Sequence, residues 1–532
     1  MTRSREPSTP VLIAGGGPAG LAAAAELSLH GIGCVVVEPR ARVSHRRPRA
    51  KTTSVRTMEH LRRWGIAGRL RAAAPLPVAW SQRVTFCESL SGRRITDFDG
   101  AFGLTTQRRD EFAEPGQQVG QPVVEDVLRE HLRARPGVQL RLGQLVTGLA
   151  EDALGVTVTV RAEDGSQGRL RARYVLGCDG AGGVVRDQIG ARYLGHCDPR
   201  PNFNVVFSAP GLDTELGPAV HYWVVGGPVT GLMGRLNLTG TWWASFPGVD
   251  EAHGTAHAGE LIIGMIGRQV RHELLATDPW TARMLVADTF GTSRVFLVGE
   301  AAHVNPPWGG HGFNTSVGDA VNIAWKIAAV EHGWAGPDLL RSYEAERRGV
   351  VEQTVASAAA NMRALAGDLP ADAAAIQRVK RYEFYSLGLV LGYSYAGSPV
   401  IQPGGAPPAV ADSTAYTPCA EPGGRLPHAW LPGGTSLYDR LGPGFTLLGP
   451  AGGSARLAAR ARECGIPLSV TEPPPGYRWR AEYLLVRPDQ HVAWRARDPD
   501  DIDLELVTGR RAAGRDSCLP TTESRYSCAQ PT

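Results

Sequence analysis

The chain has 532 residues, 43% hydrophobic and 20% charged, with a formal net charge of +4. That length predicts two or three domains with ample core, and so small a charge excludes the electrostatic footprint of a nucleic-acid or membrane-surface binder. Eight scattered cysteines without metal-ligand spacing, and no signal-peptide pattern, predict reduced thiols, no metal site and a cytoplasmic protein.

Residues 1–10 are polar and read as loose. Val11–Ala14 is an apolar strand, Pro18–His30 an alanine-rich helix, and Cys34–Glu38 a second apolar strand, the βαβ start of a parallel sheet buried on both faces. Val123–Ala134 has helical spacing, whereas Leu154–Arg161 and Gly168–Leu176 alternate as antiparallel strands. Between 190 and 285 the texture turns aromatic and β-like, as in "AVHYWVV" and "TWWASF". Helical character returns at Val317–His332 and Leu339–Gly367. Residues 396–424, rich in Pro and Gly, read as a linker, a compact α/β segment follows to about 508, and the tail 509–532 reads as disordered.

In "VLIAGGGPAGLAAAAELSLHGIGCVVVEP", Gly15, Gly17 and Gly20 stand in G-x-G-x-x-G spacing between a strand and a helix, with Glu38 ending the next strand. Gly15 permits a tight turn, Gly17 lets the backbone approach a pyrophosphate, and Gly20 lets helix and strand pack closely. The helix N-terminus offers free N–H groups to the phosphates, and Glu38 can accept both hydroxyls of an adenosine ribose. This unit alone does not distinguish NAD from FAD.

Two later segments separate them. "YVLGCDGAGGVVRDQIG" ends a strand at Cys178 and then presents Asp179 and Gly180. "VFLVGEAAHVNPPWGGHGFNT" ends another strand at Glu300 and runs through Pro306-Pro307 into a glycine turn. These three motifs in order, together with "PRAKTTSVRTMEHLRRWGI", "GQPVVEDVLREHL" and "NIAWKIAAV", resemble the single-component FAD-dependent aromatic hydroxylases of the para-hydroxybenzoate hydroxylase and phenol hydroxylase superfamily. The texture is similar to the dichlorophenol monooxygenase branch, and the likeness spans about residues 10–395.

The resemblance implies an α/β protein. Its parts are a discontinuous Rossmann-like FAD-binding domain (1–189 and 286–395), a β-sheet substrate domain (190–285) and a thioredoxin-like C-terminal domain (425–508). It implies that Gly15, Gly17, Pro18, Ala19, Gly20 and Glu38 hold the ADP half of FAD, and that Arg49 and Gln121 flank the pyrophosphate and ribityl chain. Asp179 serves FAD and transient NAD(P)H docking, with NADPH favoured, and Glu300 takes the place of the usual ribityl-binding aspartate. Pro306 and Pro307 lie over the flavin where oxygen adds, and backbone N–H groups around Gly310, Gly312, Phe313 and Asn314 face its pyrimidine edge. The implied activity is hydroxylation of a phenolic or polyketide-like aromatic compound by NAD(P)H and O2 through a flavin C4a-hydroperoxide, in a monomer or homodimer without nucleic-acid or membrane partners. Baeyer–Villiger insertion or epoxidation on the same fold, and a flavin-binding protein without turnover, are the alternatives.

Two residues depart from the family pattern. Glu300 carries one methylene more than aspartate, which moves its carboxylate by about 1.5 Å. Lys51 stands where relatives carry Asp or Asn, and would favour a phenolate or a substrate carboxylate, the alternative being a surface lysine. His221, Tyr222, Trp223, Met233 and Arg235 are the pocket candidates, with Tyr222 on the strand face opposite His221 and Trp223. His303 and Asp319 read as structural, and His311 stands in the glycine turn where many relatives have Gln.

Overall fold

The computed structural model describes residues 8–46, 50–366, 371–405, 412–450, 452–480 and 482–511. Arg49, residues 1–7 and the tail from 512 lie outside the described residues.

The chain opens with β1 (Ser8–Ala14), α1 (Pro18–Leu29) and β2 (Cys34–Glu38). Next come β3 (Thr52–Thr53), α2 (Val55–Arg63), α3 (Ala67–Ala73), β4 (Arg83–Cys87), β5 (Arg94–Asp99) and β6 (Gln117–Gln118). After α4 (Gln121–Arg133) come β7 (Val138–Leu142), β8 (Gln144–Asp152), β9 (Gly155–Ala162), β10 (Gln167–Gly177) and α5 (Val184–Gln188). The first sheet runs β7-β2-β1-β10-β9-β8. β1 lies parallel between β2 and β10, while β8 and β9 add an antiparallel edge. Val11 to Ala14 are wholly buried, because α1 covers one face of a strand that has neighbours on both sides. A continuous apolar run is the pattern that position demands.

The second sheet is built around β11 (Tyr193–Ser208), β12 (His221–Val224), β13 (Gly231–Arg235), β14 (Thr241–Pro247) and, beyond α6 (Glu251–Ile266), β15 (Glu273–Ala287). β16 (Val295–Leu297) returns to the first sheet beside β10, and β17 (His303–Val304) closes one edge of the second. The order is β17-β15-β11-β14-β13-β12-β4-β5, so segment 190–285 does not build this sheet alone. β4 and β5 arrive from residues 83–99, since β12 finds its parallel partner in β4. The helix inside the aromatic segment was not expected. Its ends are nonetheless written locally: Asp250 caps the N-terminus by accepting from the His253 N–H at 2.8 Å, and Gly267 at φ +81° ends it.

α6 divides the two faces of this sheet. Under it lie Phe203, Phe207, Tyr222, Met233 and Trp242 with Ile262 and Met265. The opposite face carries Phe86, Phe98 and Trp223 toward the helices that follow: α7 (His311–Glu331), α8 (Asp338–Ala366), α9 (Ala373–Phe384) and α10 (Leu387–Leu391).

The C-terminal layer holds β18 (Phe445–Leu448), α11 (Ser454–Glu463), β19 (Leu468–Thr471), β20 (Tyr483–Val486) and β21 (Val492–Ala496), in sheet order β19-β18-β20-β21. Residues 396–405 and 412–424 are irregular, as their Pro and Gly dictate, but they pack rather than dangle: Val400, Ile401 and Ala420 are buried, and Gln402 N donates to Ala493 O at 3.1 Å. Buried charge joins this layer to the rest. Glu59 of α2 sits between Arg425 at 2.5 Å and Arg56 at 3.1 Å, and Arg56 also donates to Asp489 O at 2.7 Å.

Candidate cofactor and substrate site

At the end of β1, Gly15 turns back at φ +101° and donates to Val37 O at 2.8 Å. A Cβ on Gly15 would overlap the Cys178 carbonyl, and one on Gly20 would overlap the Gly15 carbonyl, whereas a Cβ on Gly17 would meet nothing within 4 Å among the described residues. Two glycines therefore serve close packing, and the third faces open space at the start of α1, where Pro18 and Ala19 form the first turn and no side chain caps the helix. Glu38 is buried beside that turn and accepts from Gly16 N at 2.7 Å and Arg40 Nε at 2.6 Å. Gln121 opens α4, its N–H donating to Ala50 O at 2.9 Å and its side chain to Glu125 at 2.8 Å.

Asp179 follows β10. One of its oxygens accepts from Val185 N at 3.0 Å, and the other, Oδ1, is buried without a hydrogen-bond partner among the described residues. Burial pushes this carboxyl upward against the N–H groups that oppose it. Exposed Glu300 stands over the same turn, Oε2 lying 4.0 Å from where a Cβ on Gly180 would be. Its turn is held rigidly, since the Tyr193 hydroxyl donates to the Glu300 carbonyl and Gly299 N to Asp319 at 3.2 Å. Buried Asp319 is fixed in turn by His303 at 2.8 Å and Arg347 at 2.7 Å. Burial alone would raise the Asp319 carboxyl, but Arg347 and His303 hold it below its ordinary range. His303 and Asp319 thus support the Glu300 turn from beneath.

Beyond buried Pro306 and exposed Pro307, Gly309 (φ +91°) and Gly310 (φ +67°) turn the chain into α7, whose N-terminus has no side-chain cap. Gly312 and Phe313 lie in its first turn. The Asn314 side chain is fully used in fastening this turn to β3 and α2: it donates to Gly310 O at 2.7 Å and accepts from Ser54 N at 2.9 Å and Thr57 Oγ1 at 2.8 Å. That side chain is therefore not available to a ligand. Two uncapped helix N-termini, open space at Gly17 and an orphaned Asp179 oxygen fit an extended anionic dinucleotide that begins at α1 and ends at α7.

A cavity of about 140 Å3 lies at the α7 N-terminus, between Thr52, Gly310, His311, Phe102, Phe384 and Leu387. His311 is buried with Nε2 unpartnered among the described residues, and burial pushes its pKa down to about 4, so it is neutral at physiological pH. A smaller space of about 30 Å3 lies between Lys51, Asn204, Trp243 and Asp278. Lys51 Nζ sits 4.2 Å over the Trp243 ring. The residue is half-buried by surface, yet deep enough that burial lowers its pKa to about 8 even with Asp278 opposing. The structure gathers His221, Trp223 and Trp243 on the inner sheet face with it.

Tyr222 and Arg235 were expected at the pocket and are not there. Strand alternation turns Tyr222, Met233 and Arg235 outward together, toward α6. Tyr222 donates to Gly217 O at 2.6 Å, and Arg235 donates to Leu212 O at 2.6 Å while stacking on Trp242 at 4.4 Å. Sequence reading missed Phe102, Trp243 and Phe384. Only the two glycines of "DGAFG" hint at the first, and nothing local marks the others.

A βαβ dinucleotide end continuous with an acid-ended strand and a glycine-led helix, under an aromatic sheet, defines a flavoprotein monooxygenase. Matches to known proteins refine this. The FAD binding domain model matches residues 8–358 and the aromatic-ring hydroxylase C-terminal model residues 420–512. The chain therefore belongs to the FAD-dependent aromatic-ring hydroxylase family, whose members use FAD, NAD(P)H and O2. It is 31% identical to the 2,4-dichlorophenol 6-monooxygenase of Delftia acidovorans over 92% of this chain and 95% of that protein. The flavin-dependent monooxygenase PieE, solved with FAD and substrate, superposes with TM-score 0.86 at 31% identity, covering 95% of this chain and 99% of that one. Aklavinone-11 hydroxylase, solved with FAD and aklavinone, gives 0.81 at 28%, covering 94% and 99%. Among the described residues no helix is long and apolar enough to cross a membrane.

Proposed function

We propose that this chain hydroxylates a phenolic or polyketide-like aromatic compound in the space between the α7 N-terminus and the inner face of the second sheet. The observation that carries this is the aromatic inner face: Phe102 and Phe384 line the cavity from which α7 starts, Trp243 lines the smaller space beside Lys51, and buried Phe86, Phe98 and Trp223 pack behind them. The bound aklavinone of one structural neighbour supports a planar aromatic substrate.

The first turn of α1, open at Gly17, holds the pyrophosphate in a turn that Gly15 and Gly20 shape by close packing, and Glu38 holds the adenosine ribose. Asp179 and Glu300 hold the ribityl hydroxyls, and the free N–H groups of the α7 turn take the negative charge of the reduced ring edge. When bound, FAD reduced by NAD(P)H activates O2 and supplies the oxygen atom that enters the ring. The protein keeps water out: Trp308 packs on Trp280 at 5.5 Å, and Pro306 is buried beside it. Lys51, protonated below about pH 8, attracts a phenolate and so favours the electron-rich form of the ring that accepts oxygen.

The test is a panel of phenols and polycyclic hydroxyaromatics scored for stimulated NAD(P)H oxidation, with product mass checked for one added oxygen. Flavin-loaded protein that oxidises NAD(P)H at the same rate with and without every compound refutes the reading. Lys51→Met raises the KM of the best substrate about tenfold or more, and an unchanged KM removes Lys51 from the site.

A further inference from the structure

Phe102 is one of two non-glycine residues with positive φ among the described residues, at φ 58° and ψ 22°. An aromatic side chain is disfavoured in the left-handed region, where Gly or Asn is the ordinary occupant. The turn is built for that backbone: Gly100 (φ +67°) and Gly103 (φ +70°) flank it, Ala101 N donates to Gln82 O at 3.0 Å, and Gly116 N to Gly103 O at 3.0 Å. The ring packs one side on the cluster that contains Phe384, but Phe102 is only half-buried and its remaining surface lines the larger cavity. A bulky residue kept in strained backbone at a cavity wall points to a role for the ring.

That ring lies 5.8 Å from His221 and 5.6 Å, edge-on, from Phe384. His221 in turn is 6.1 Å from Trp243, beneath Lys51, so it stands between the two cavities. Trp223 Nε1 donates to His221 Nε2 at 3.0 Å. An indole N–H only donates, so Nε2 must accept, and the neutral ring carries its proton on Nδ1. Nδ1 makes no hydrogen bond among the described residues. The ring is neutral because burial, with Lys51 and Lys380 nearby, pushes its pKa down to about 3. Around this donor the other polar groups are engaged: Lys380 pairs with Glu383 at 2.7 Å and stacks on Trp223, and Lys51 stacks on Trp243 facing Asp278.

We propose that Phe102, Phe384 and His221 form the slot that recognises the substrate: a planar aromatic ring packs against Phe102 and Phe384, and its carbonyl or phenolate oxygen accepts the His221 Nδ1–H. This rests on the hydroxylase reading above and names the recognition chemistry within it. Phe102 is then a specificity-determining residue and His221 a fixed donor whose tautomer Trp223 sets.

The experiment measures binding to the holoenzyme by quenching of tryptophan fluorescence. The probes are 1-tetralone, whose oxygen is a carbonyl, and 4-nitro-1-naphthol, ionised at neutral pH. His221→Leu lowers affinity for one or both about tenfold, the loss of one hydrogen bond, and the probe affected tells carbonyl from phenolate. His221→Gln, which can accept from Trp223 and still donate, restores most of it. Phe102→Gly weakens both probes severalfold while its melting temperature stays at or above that of Phe102→Leu, which keeps the strain without the ring. Unchanged affinity in His221→Leu and Phe102→Gly, or no binding to wild type, refutes the slot. Wild type that binds the probes in this slot but shows no stimulated NAD(P)H oxidation across the panel refutes the hydroxylase reading and leaves the slot standing.

Discussion

Replacing Glu346 by glutamine removes one negative charge from a point where four segments of the chain meet. Buried Glu346 of α8 accepts from Lys326 Nζ (2.7 Å) and Asn322 (2.7 Å) of α7, from Ser398 (2.7 Å), and from both terminal nitrogens of Arg487 (2.7 and 2.9 Å), just past β20. Burial by itself would raise the carboxyl, but Arg487 and Lys326 bring it down to about 2. The two ends of the Lys326 pair respond differently, because burial also lowers Lys326, to about 8, despite Glu346. Glu346 faces two cations, Lys326 and an Arg487 that also pairs with Asp489 at 2.6 Å, while Lys326 has Glu346 as its ion-pair partner, so the carboxylate is the better-compensated partner and the one to perturb. A carboxyl moved from 4.5 to about 2 contributes about 3 kcal/mol at neutral pH, at about 1.4 kcal/mol per pH unit. Breaking a buried pair by removing one member costs about 3–5 kcal/mol. At about 2 °C per kcal/mol for a large domain, Glu346→Gln should melt roughly 6–10 °C lower, followed by flavin fluorescence release. The sign with pH follows from a depressed folded value: the contribution is complete above about 4.5 and fades as pH falls toward about 2, so the gap between wild type and variant narrows on that limb. A variant within about 2 °C of wild type at neutral pH, or a gap that stays constant into acid, would refute the reasoning.

Gly17→Ala has room for its methyl group, so it should fold normally and lose FAD affinity about tenfold or more. Gly20→Ala, overlapping the Gly15 carbonyl, should yield little folded flavoprotein, and equal flavin content in the two variants contradicts the assignment of these glycines. Glu300→Asp should retain FAD, while Glu300→Ala should release it about tenfold more readily in equilibrium dialysis; alanine that holds flavin like wild type removes Glu300 from the ribityl site. Tyr222→Phe loses a buried hydrogen bond to Gly217 and should cost about 1 kcal/mol of stability with substrate KM unchanged, since the hydroxyl points away from the cavity.

The dinucleotide end was legible because its demands are local. Gly15, Gly17, Gly20 and Glu38 must stand at set distances along a strand, a turn and a helix. The positive φ of Gly15, the approach of Gly20 to the Gly15 carbonyl and the bond of Glu38 to Gly16 N all lie within the βαβ unit, and only the packing of Gly15 on the Cys178 carbonyl reaches a distant strand. The acid-ended strand carrying Glu300 and the glycine lead into α7 were legible for the same reason. The roles of side chains within those motifs were less so: Asn314 is spent on Ser54 and Thr57, some 260 residues away in sequence, and no spacing rule encodes that.

By itself the sequence determined the α/β class, the βαβ start, the three motif sites and their order, since backbone turns, helix starts and strand ends depend on residues a few positions apart. Alternation even separated Tyr222 from His221 and Trp223, without saying which set faces the cavity. Tertiary structure alone decided that, by laying α6 over the Tyr222 face and closing β4 and β5 onto β12. It also decided that Lys51 lies over Trp243 beside Asp278, that Phe102 meets His221, and that Glu346 binds the C-terminal layer to α7. Each of these joins segments far apart in the chain, and such contacts are set by how whole sheets and helices pack, which no local pattern carries.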